Sequence, residues 1–255
     1  MKILKKALRI IVRKVAYSRF LSFDIDTYNW DNCDFETNGE FFFIKRLANE
    51  WKTVFDIGAN VGNYSKELLA INPNLNIHCF EPNPNLINTI KLLKVGNVEQ
   101  CAVSNQKGEI DFSLNLLDST MSSQYRKGSV EKTIKVKTIT LDEYCSENKI
   151  NYIDFIKIDT EGNEYAVLQG AYNLINSQSI GIIQFEYGGC SIEAKTTLES
   201  IYKLLCEKYI IFHLYPNGLL PLKFKSDLET YRYSNWIAIS KDYRQMTNLG
   251  ARDGT

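Results

Sequence analysis

Short apolar segments alternate with amphipathic helical patterns along most of this chain, and that alternation restricts the folds it can adopt. We place strands at residues 53–57, 76–80, 98–103, 153–158, 180–186, 210–214 and 236–240. Helical patterns fall near residues 40–49, 63–71, 84–93, 141–148, 165–175 and 198–208. A helix between two strands lets the chain cross over and pair them in parallel. The sequence therefore predicts an α/β fold around a mostly parallel sheet of seven strands.

Two regions depart from this alternation. Residues 110–114 and 132–137 predict an extra β-ribbon around a Ser-, Thr- and Met-rich loop at residues 118–123. The final two strands are joined by a loop that contains Pro216, Gly218 and Pro221 and has no helix of adequate length. We therefore expect the last strand to run antiparallel to its neighbour.

Charge is unevenly distributed, although 30 basic and 30 acidic residues cancel over the whole chain. The first seven charged residues are all basic: Lys2, Lys5, Lys6, Arg9, Arg13, Lys14 and Arg19. The remainder has 23 basic and 30 acidic residues and is therefore acidic. This balance argues against a domain that binds nucleic acid through its overall charge.

The N-terminal segment predicts an amphipathic basic helix at residues 2–20, because apolar residues recur there at helical spacing. Such a helix either binds an anionic membrane surface or docks its apolar side on the domain or on another subunit. We divide the chain into an arm and linker at residues 1–37, a main domain at 38–244 and a disordered tail at 245–255. The sequence leaves the oligomeric state open.

The cysteines and the hydropathy pattern indicate a protein of the cytoplasm. The six cysteines show no CxxC pair and no regular spacing, so neither a zinc ribbon nor a disulfide framework is predicted. No apolar run reaches the roughly 18 residues that span a bilayer. Contact with the inner face of a membrane remains an alternative for the basic arm alone.

The first predicted strand runs into the turn Asp56-x-Gly58-x-Asn60-x-Gly62 and then into a helix. The two glycines permit a sharp turn and the close approach of a ligand. Asn60 stands where a dinucleotide-binding turn would carry its second glycine, which weakens that interpretation. Asp56 at the end of the strand can accept a hydrogen bond from a cationic amino group.

The second and third strands also end in polar residues. Glu81 follows the second strand in Phe80-Glu81-Pro82, where its carboxylate can accept hydrogen bonds from both hydroxyls of a ribose. Ser104 follows the third strand and is either a ligand of the same nucleoside or a turn residue.

Carboxylates also follow the fourth and fifth strands. Asp159 and Glu161 lie in the polar cluster after the fourth strand, and Glu186 ends the fifth. Both histidines fall inside predicted strands, so these carboxylates are the candidates for a general base, with Asp159 placed first. If the three converge, they could also bind a divalent ion, which the sequence leaves undecided.

These motifs together resemble the FkbM family of S-adenosylmethionine-dependent methyltransferases. The resemblance covers roughly residues 50 to 240 and excludes the basic arm. It rests on the first-strand turn, Phe80-Glu81-Pro82, Thr140-Leu141-Asp142, Lys157-Ile158-Asp159-x-Glu161-Gly162-x-Glu164, Val167-Leu168-x-Gly170-Ala171 and Asn235-Trp236-Ile237-Ala238-Ile239.

The resemblance implies a class I, Rossmann-like methyltransferase fold and O-methylation of a sugar, glycan or related metabolite. It implies S-adenosylmethionine as cofactor over the ends of the first three strands. Residue by residue, Asp56, Gly58, Asn60 and Gly62 would surround the methionine portion, Glu81 the ribose and Ser104 the adenine side. Asp159 and Glu161 would face the transferred methyl group.

Two other functions remain open from the sequence. An NAD-dependent nucleotide-sugar enzyme would be expected to carry a three-glycine turn and a Tyr-x-x-x-Lys pair, which are absent here. A non-catalytic scaffold in a glycan-assembly complex would keep the fold without the chemistry. The presence of Asp56, Glu81 and Asp159 argues against a decayed site.

Overall fold

The structure is a computed structural model, and it describes residues 29–115 and 131–243. The predicted basic helix, the loop at 118–123 and the tail at 245–255 lie outside the described residues. The helices are α1 (Glu40–Leu47), α2 (Asn63–Ile71), α3 (Pro84–Leu92), α4 (Leu141–Glu147), α5 (Glu164–Gln169), α6 (Tyr172–Asn176), α7 (Cys190–Glu193) and α8 (Leu198–Leu205). The strands are β1 (Thr53–Ile57), β2 (Asn76–Phe80), β3 (Asn97–Glu99), β4 (Ala102–Val103), β5 (Gly108–Asn115), β6 (Glu131–Ile139), β7 (Ile153–Ile158), β8 (Ile180–Tyr187), β9 (Tyr209–Tyr215), β10 (Gly218–Pro221) and β11 (Ser234–Ser240).

The main sheet has the strand order β10-β9-β11-β8-β7-β1-β2-β3. The pairs from β8 to β3 are parallel, and β11 runs antiparallel to both β8 and β9. The predicted α/β fold with an antiparallel last strand is therefore confirmed, and the sheet has eight strands rather than seven. The additional strand, β10, follows a two-residue turn at Pro216 and Asn217 and pairs with the end of β9. Its place at the sheet edge explains how it accommodates Pro221, which has no N–H to donate.

The prediction of one continuous third strand at residues 98–103 was wrong, because this segment forms two separate strands, β3 and β4. β3 pairs with β2 in the main sheet, whereas β4 pairs with β6 in a separate sheet of order β4-β6-β5. The chain changes sheet at Gln100 and Cys101, and the residue pattern of this short segment carries no signal for such a change. The predicted ribbon is confirmed by eight antiparallel residue pairs between β5 and β6.

The predicted helix at residues 165–175 is two helices, α5 and α6, which meet at Gly170. A Cβ at Gly170 would lie 2.0 Å from the backbone oxygen of Ser104, so the glycine allows the chain segments to touch. This approach brings the end of α5 against the segment that follows β4. Tertiary contact, which the helical pattern does not report, determines where the helix is interrupted.

Both faces of the sheet are covered, so its central strands are apolar on both sides. On one face, Phe43 and Ile44 of α1 and Leu68 of α2 pack over Phe155 of β7. Phe155 is fully buried, and its ring stacks on that of Trp51 with centroids 4.4 Å apart. On the other face the sheet packs against α4, α5 and α8. These two layers fix the strand tips from which the functional site is built.

Residues 29–38 lie against the main domain beside β9 and β11. The backbone N–H of Asp31 donates to the carbonyl of Tyr233 at 2.9 Å, and the Asp31 carboxylate pairs with Arg232 at 2.6 Å. Trp30 packs its ring against His213 with centroids 5.0 Å apart. The division of the chain at residue 37 stays a prediction, and these contacts attach the end of the linker to the domain. Within the described ranges, no helix combines the length and apolar character needed to cross a membrane.

We expect Phe155→Ala to lower the free energy of unfolding by about 3–5 kcal/mol, because it leaves a cavity between α1 and the sheet. Tyr172→Ala is the control, since Tyr172 is 59% exposed, and we expect a change below about 1 kcal/mol. Urea unfolding followed by fluorescence measures both. Equal effects from the two substitutions would contradict the core described above.

Candidate functional site

A cleft opens at the carboxyl ends of β7, β1 and β2, where open α/β sheets bind their ligands. It encloses about 750 Å³, including its open mouth. Its lining residues are Ile57, Gly58, Asn60, Phe80, Glu81, Pro82, Cys101, Ala102, Val103, Ile110, Phe112, Asp159, Thr160, Glu161 and Asn163. Gly58, Asn60, Glu81, Asp159 and Glu161 of the predicted site therefore share one cleft.

The turn after β1 forms the middle of the cleft floor. The backbone N–H groups of Gly58 and Ala59 both donate to the carbonyl of Phe80, which ties the tips of β1 and β2 together. Gly58 has a left-handed φ of 83°, and a Cβ there would lie 1.7 Å from the backbone oxygen of Asp159. Asn60 also has a left-handed φ, of 50°. Only glycine fits the first of these positions, because the tip of β7 passes directly against it.

Glu81 is held in a fixed orientation at the tip of β2. Its Oε2 accepts from the Asn60 N–H and its Oε1 from the Asn83 N–H, both at 2.8 Å. Burial raises the pKa of Glu81 to about 7, against the opposing effect of these two backbone donors. Each oxygen keeps a further lone pair, so the carboxylate can still accept from two hydroxyl groups of a ligand.

One part of the cleft lining is apolar. Ala102 and Val103 of β4 form it together with Ile110 and Phe112 of β5. The ribbon residues were absent from the sequence-based site, because nothing in residues 108–115 shows that the ribbon folds over the cleft. Flat apolar walls of this kind suit a planar heterocycle.

Another part of the cleft lining is acidic. Asp159 accepts a hydrogen bond from the Lys157 ammonium through Oδ2 at 2.5 Å, and 28% of its side chain is exposed. Glu161 has a left-handed φ of 54° and accepts from the Cys190 thiol at 3.0 Å. Asn163 links the two parts, because its amide donates to the Val103 carbonyl at 2.8 Å.

Glu186 is the third predicted acid, and it ends β8 beside β7 rather than in the cleft lining. Its Oε1 accepts from the Tyr233 hydroxyl at 2.8 Å. Burial and the negative charge of Asp159 raise the pKa of Glu186 well above its usual range. Glu186 therefore lies on the side of Asp159 that faces away from Glu81.

Three predicted cofactor residues lie outside the cleft lining. Asp56 is buried in β1, where its Oδ2 accepts from the Ser65 hydroxyl at 2.6 Å at the start of α2. Gly62 precedes α2 with a φ of 83° and packs against α3. Ser104 is buried beyond β4, and its N–H donates to the Ile139 carbonyl. These residues adjoin the cleft walls, and their roles toward a ligand stay predictions.

Two buried polar side chains that the sequence analysis missed, Lys157 and Gln184, lie close to the acidic residues. Lys157 of β7 and Gln184 of β8 are adjacent in register and share a sheet face. Gln184 donates to Glu40 of α1 and accepts from the Tyr64 hydroxyl at 3.0 Å. The available signal was a lysine and a glutamine within otherwise apolar strands, since such residues are buried only with partners.

Metal ligation receives no geometric support within residues 29–115 and 131–243. No three His, Cys, Asp or Glu side chains in these ranges are grouped so as to hold an ion. Asp159, Glu161 and Glu186 make the separate contacts already described, to Lys157, Cys190 and Tyr233. Neither histidine lines the cleft, and both are buried.

The order of charges along the cleft fits a cationic nucleoside such as S-adenosylmethionine. The strand order puts the tips of β7, β1 and β2 side by side, so the acidic residues, the β1 turn and Glu81 follow one another, and the apolar residues of β4 and β5 line the same cleft. The acidic residues favour a sulfonium and an ammonium, the Glu81 carboxylate favours a ribose, and apolar walls favour an adenine. A pyrophosphate would meet like charge at Glu81 and Asp159.

The chain is similar to known methyltransferases in sequence. The family model described as the methyltransferase FkbM domain matches residues 56–208. The 2-O-methyltransferase NoeI of Sinorhizobium fredii is 26% identical over 202 residues, which cover 69% of this chain and 79% of that protein. The hexuronic acid methyltransferase AglP of Haloferax volcanii is 26% identical over 152 residues, covering 55% of this chain and 59% of that protein. The solved plantazolicin methyltransferase BpumL, in complex with a monoazolic desmethylPZN analog and SAH, superimposes with a TM-score of 0.46 at 12% identity, covering 94% of this chain and 98% of that one.

We expect Gly58→Ala to lower the free energy of unfolding by at least about 2 kcal/mol, because the left-handed backbone and the Asp159 carbonyl both oppose a Cβ. Gly189→Ala is the matched control, since nothing lies within 4 Å of a Cβ there. Its effect should stay below about 1 kcal/mol. Chemical denaturation distinguishes them, and a stable Gly58→Ala protein would show that the two strand tips are not in contact.

Proposed function

Because this chain belongs to the FkbM methyltransferase family, we propose that it transfers a methyl group from S-adenosylmethionine to a hydroxyl of a sugar. Methyltransferase activity and the cofactor follow from the family. The sugar acceptor is supported by the names of the relatives, a 2-O-methyltransferase and a hexuronic acid methyltransferase. A place in the synthesis of a polysaccharide or glycoconjugate is part of the same proposal.

The observation that carries the proposal is that the Glu81 carboxylate, the acidic residues after β7 and the apolar residues of β4 and β5 line one cleft. Glu81 would hold the ribose, and the walls from β4 and β5 would hold the adenine. Gly58 and Asn60 would leave the backbone close to the methionine portion. Asp56, Gly62 and Ser104 are buried next to the lining residues. We assign them the role of holding those residues in position.

The cofactor supplies, when bound, a methyl group made electrophilic by a positively charged sulfur. The chain must then orient the acceptor oxygen, keep competing water away and remove one proton. Asp159, Glu161 and Glu186 lie at the end of the sheet where an acceptor would meet that methyl group. Each is a candidate for contact with the acceptor, and the acidic surroundings also favour the cationic sulfur.

We expect Glu81→Gln to weaken binding of S-adenosylhomocysteine about 10- to 100-fold near neutral pH, because charge-assisted hydrogen bonds to the ribose are lost. The ionised carboxylate accepts two hydroxyl groups, so wild-type affinity should rise as the pH increases through about 7. The Glu81→Gln protein should lose that dependence. Calorimetry at several pH values provides the measurement.

Glu99→Gln is the control for that experiment, since Glu99 ends the adjacent strand β3 and contacts Tyr144 instead of the cleft. Its affinity and pH dependence should match the wild type. Unchanged binding by the Glu81→Gln protein would exclude Glu81 as the ribose ligand. Preferential binding of NAD to the wild type would favour the alternative nucleotide-sugar enzyme.

We expect Asp159→Asn to reduce turnover by at least about 10-fold while changing the affinity for S-adenosylhomocysteine less. The substitution removes a negative charge from the place where the acceptor would bind. It also removes the carboxylate that pairs with Lys157. Asp111→Asn is the control, because it breaks an exposed ion pair with Lys135 on the ribbon. Turnover of the Asp159→Asn protein equal to that of the control would remove Asp159 from the reaction.

The reaction itself is tested with methyl-labelled S-adenosylmethionine and a set of free, nucleotide-linked and lipid-linked sugars that includes hexuronic acids. Hydrolysis of the products and identification of the labelled O-methyl sugar then give the acceptor and the position. The proposal predicts a labelled methyl ether on a sugar. Label found only on nitrogen, or on a non-sugar compound, would contradict it.

A further inference from the structure

O-methylation of a hydroxyl requires a group that takes the hydroxyl proton. The three candidate acids, Asp159, Glu161 and Glu186, differ in the contacts that their carboxylates already make. The inference below rests on the proposed function and identifies that group. The Tyr233 hydroxyl, which contacts one of the acids, lies outside the residues 56–208 that match the family model.

Asp159 is poorly suited to take a proton because it is the ion-pair partner of a buried lysine. Its Oδ2 lies 2.5 Å from the Lys157 ammonium, and only 9% of the lysine side chain is exposed. Protonation of Asp159 would remove the nearest negative charge from a buried positive one, which is costly. Asp159 therefore acts better as a fixed charge than as a base.

Glu161 is directed toward a different neighbour. Its Oε2 accepts a hydrogen bond from the Cys190 thiol at 3.0 Å, at the start of α7. This contact links the loop after β7 to the segment after β8. Glu161 lines the cofactor cleft, where its charge is placed to face the cation of the cofactor.

Glu186 has the surroundings of a proton acceptor. The charged and titratable groups around it are Asp159 and Lys157 from β7, Glu40 from α1 and Tyr233 from the segment before β11. Burial and the charge of Asp159 raise the pKa of Glu186, which strengthens its carboxylate as a base. The residue as a whole is partly exposed, while its carboxyl group lies among these charged neighbours.

Tyr233 fixes the orientation of that carboxylate. Its hydroxyl donates to Glu186 Oε1 at 2.8 Å and accepts from the Asn235 side-chain amide at 3.1 Å. Because the amide supplies a proton to the hydroxyl oxygen, the single hydroxyl proton is directed to Glu186. The backbone carbonyl of Tyr233 is in turn bonded to the N–H of Asp31, which anchors the segment. Among residues 29–115 and 131–243, no hydrogen bond to Oε2 of Glu186 is present, and this oxygen would meet the substrate.

We propose that Glu186 is the catalytic base that receives the acceptor proton and that Tyr233 is its positioning residue. The bond that forms joins the acceptor oxygen to the methyl carbon, and the bond that breaks joins that carbon to sulfur, which keeps the electron pair. The hydroxyl proton passes to Glu186 Oε2 and then to water. The Lys157–Asp159 ion pair lies beside this exchange.

The test uses Tyr233→Phe, which removes the hydroxyl and keeps the ring, with Tyr209→Phe as matched control. The Tyr209 hydroxyl donates to the Ile180 carbonyl at the opposite end of the sheet. The first readout is the carboxyl 13C signal of Glu186 in labelled protein without ligands, identified by its loss in Glu186→Gln. The hydrogen bond favours the charged carboxylate, so Tyr233→Phe should move the titration of Glu186 to higher pH. Tyr209→Phe should leave it unchanged.

The second readout is the pH dependence of turnover. The acid limb of the profile of kcat against pH should shift to higher pH in Tyr233→Phe. The affinity for S-adenosylhomocysteine should change little, because Tyr233 is outside the cofactor cleft. Glu186→Gln should lower kcat about 10²- to 10⁴-fold. A titration of Glu186 that is the same in the wild type and Tyr233→Phe would overturn the positioning role.

Failure of the inference and failure of the proposed function give different results. If the wild type methylates a sugar and Glu186→Gln does so at the same rate with the same pH profile, the assignment of the base is wrong and the function stands. If the wild type methylates none of the sugars tested, the proposed function fails and the assignment fails with it. Glu186→Asp provides a further check, since a shortened carboxylate should restore part of the turnover lost in Glu186→Gln.

Discussion

The buried ammonium of Lys157 is the charge on which the organisation of the acceptor side depends. Burial opposes its charge, but the carboxylates of Asp159, Glu40, Glu186 and Asp56 together raise the pKa of Lys157 and keep it protonated. These acids come from the residue after β7, from α1, from β8 and from β1, so the ion holds together elements that are distant in the sequence. Removal of such a charge would leave several carboxylates in mutual repulsion within a low-dielectric region.

The same arrangement separates two tasks along the edge of the sheet. Glu81 and the apolar walls of the cleft form the part suited to a nucleoside. The acids at the tips of β7 and β8 form the part suited to a cationic methyl donor and to an acceptor hydroxyl. Gly58 permits the two parts to adjoin, because the Asp159 carbonyl occupies the space of a Cβ. Under the proposed function, binding and proton transfer would therefore use neighbouring strand tips without sharing one carboxylate.

Much of this could be predicted from the sequence because it depends on local pattern. Strand and helix periodicity located β1, β2, β7 and α2 with their observed bounds, and the polar residues after each strand indicated Glu81 and Asp159. Parallel strands bring such residues to one edge, so their convergence follows from topology. The antiparallel last strand followed from a connecting loop that contains no helix of adequate length for a crossover.

The remainder depends on contacts between distant segments, which a single sequence does not display. The division of the third strand follows from pairing with β6, about 36 residues later in the register Ala102 to Thr138. Ile110 and Phe112 reach the cleft only because the ribbon folds over it. The Tyr233 contact with Glu186 joins residues 47 positions apart, and a tyrosine before a strand gives no sign of it.

A crystal structure of the protein with S-adenosylhomocysteine tests the central claim most directly. The account predicts both ribose hydroxyls on Glu81, the adenine between the walls from β4 and β5, and the sulfur near Asp159 on the side toward Glu186. A nucleoside bound in another part of the molecule, or bound in this cleft with its ribose away from Glu81, would contradict it.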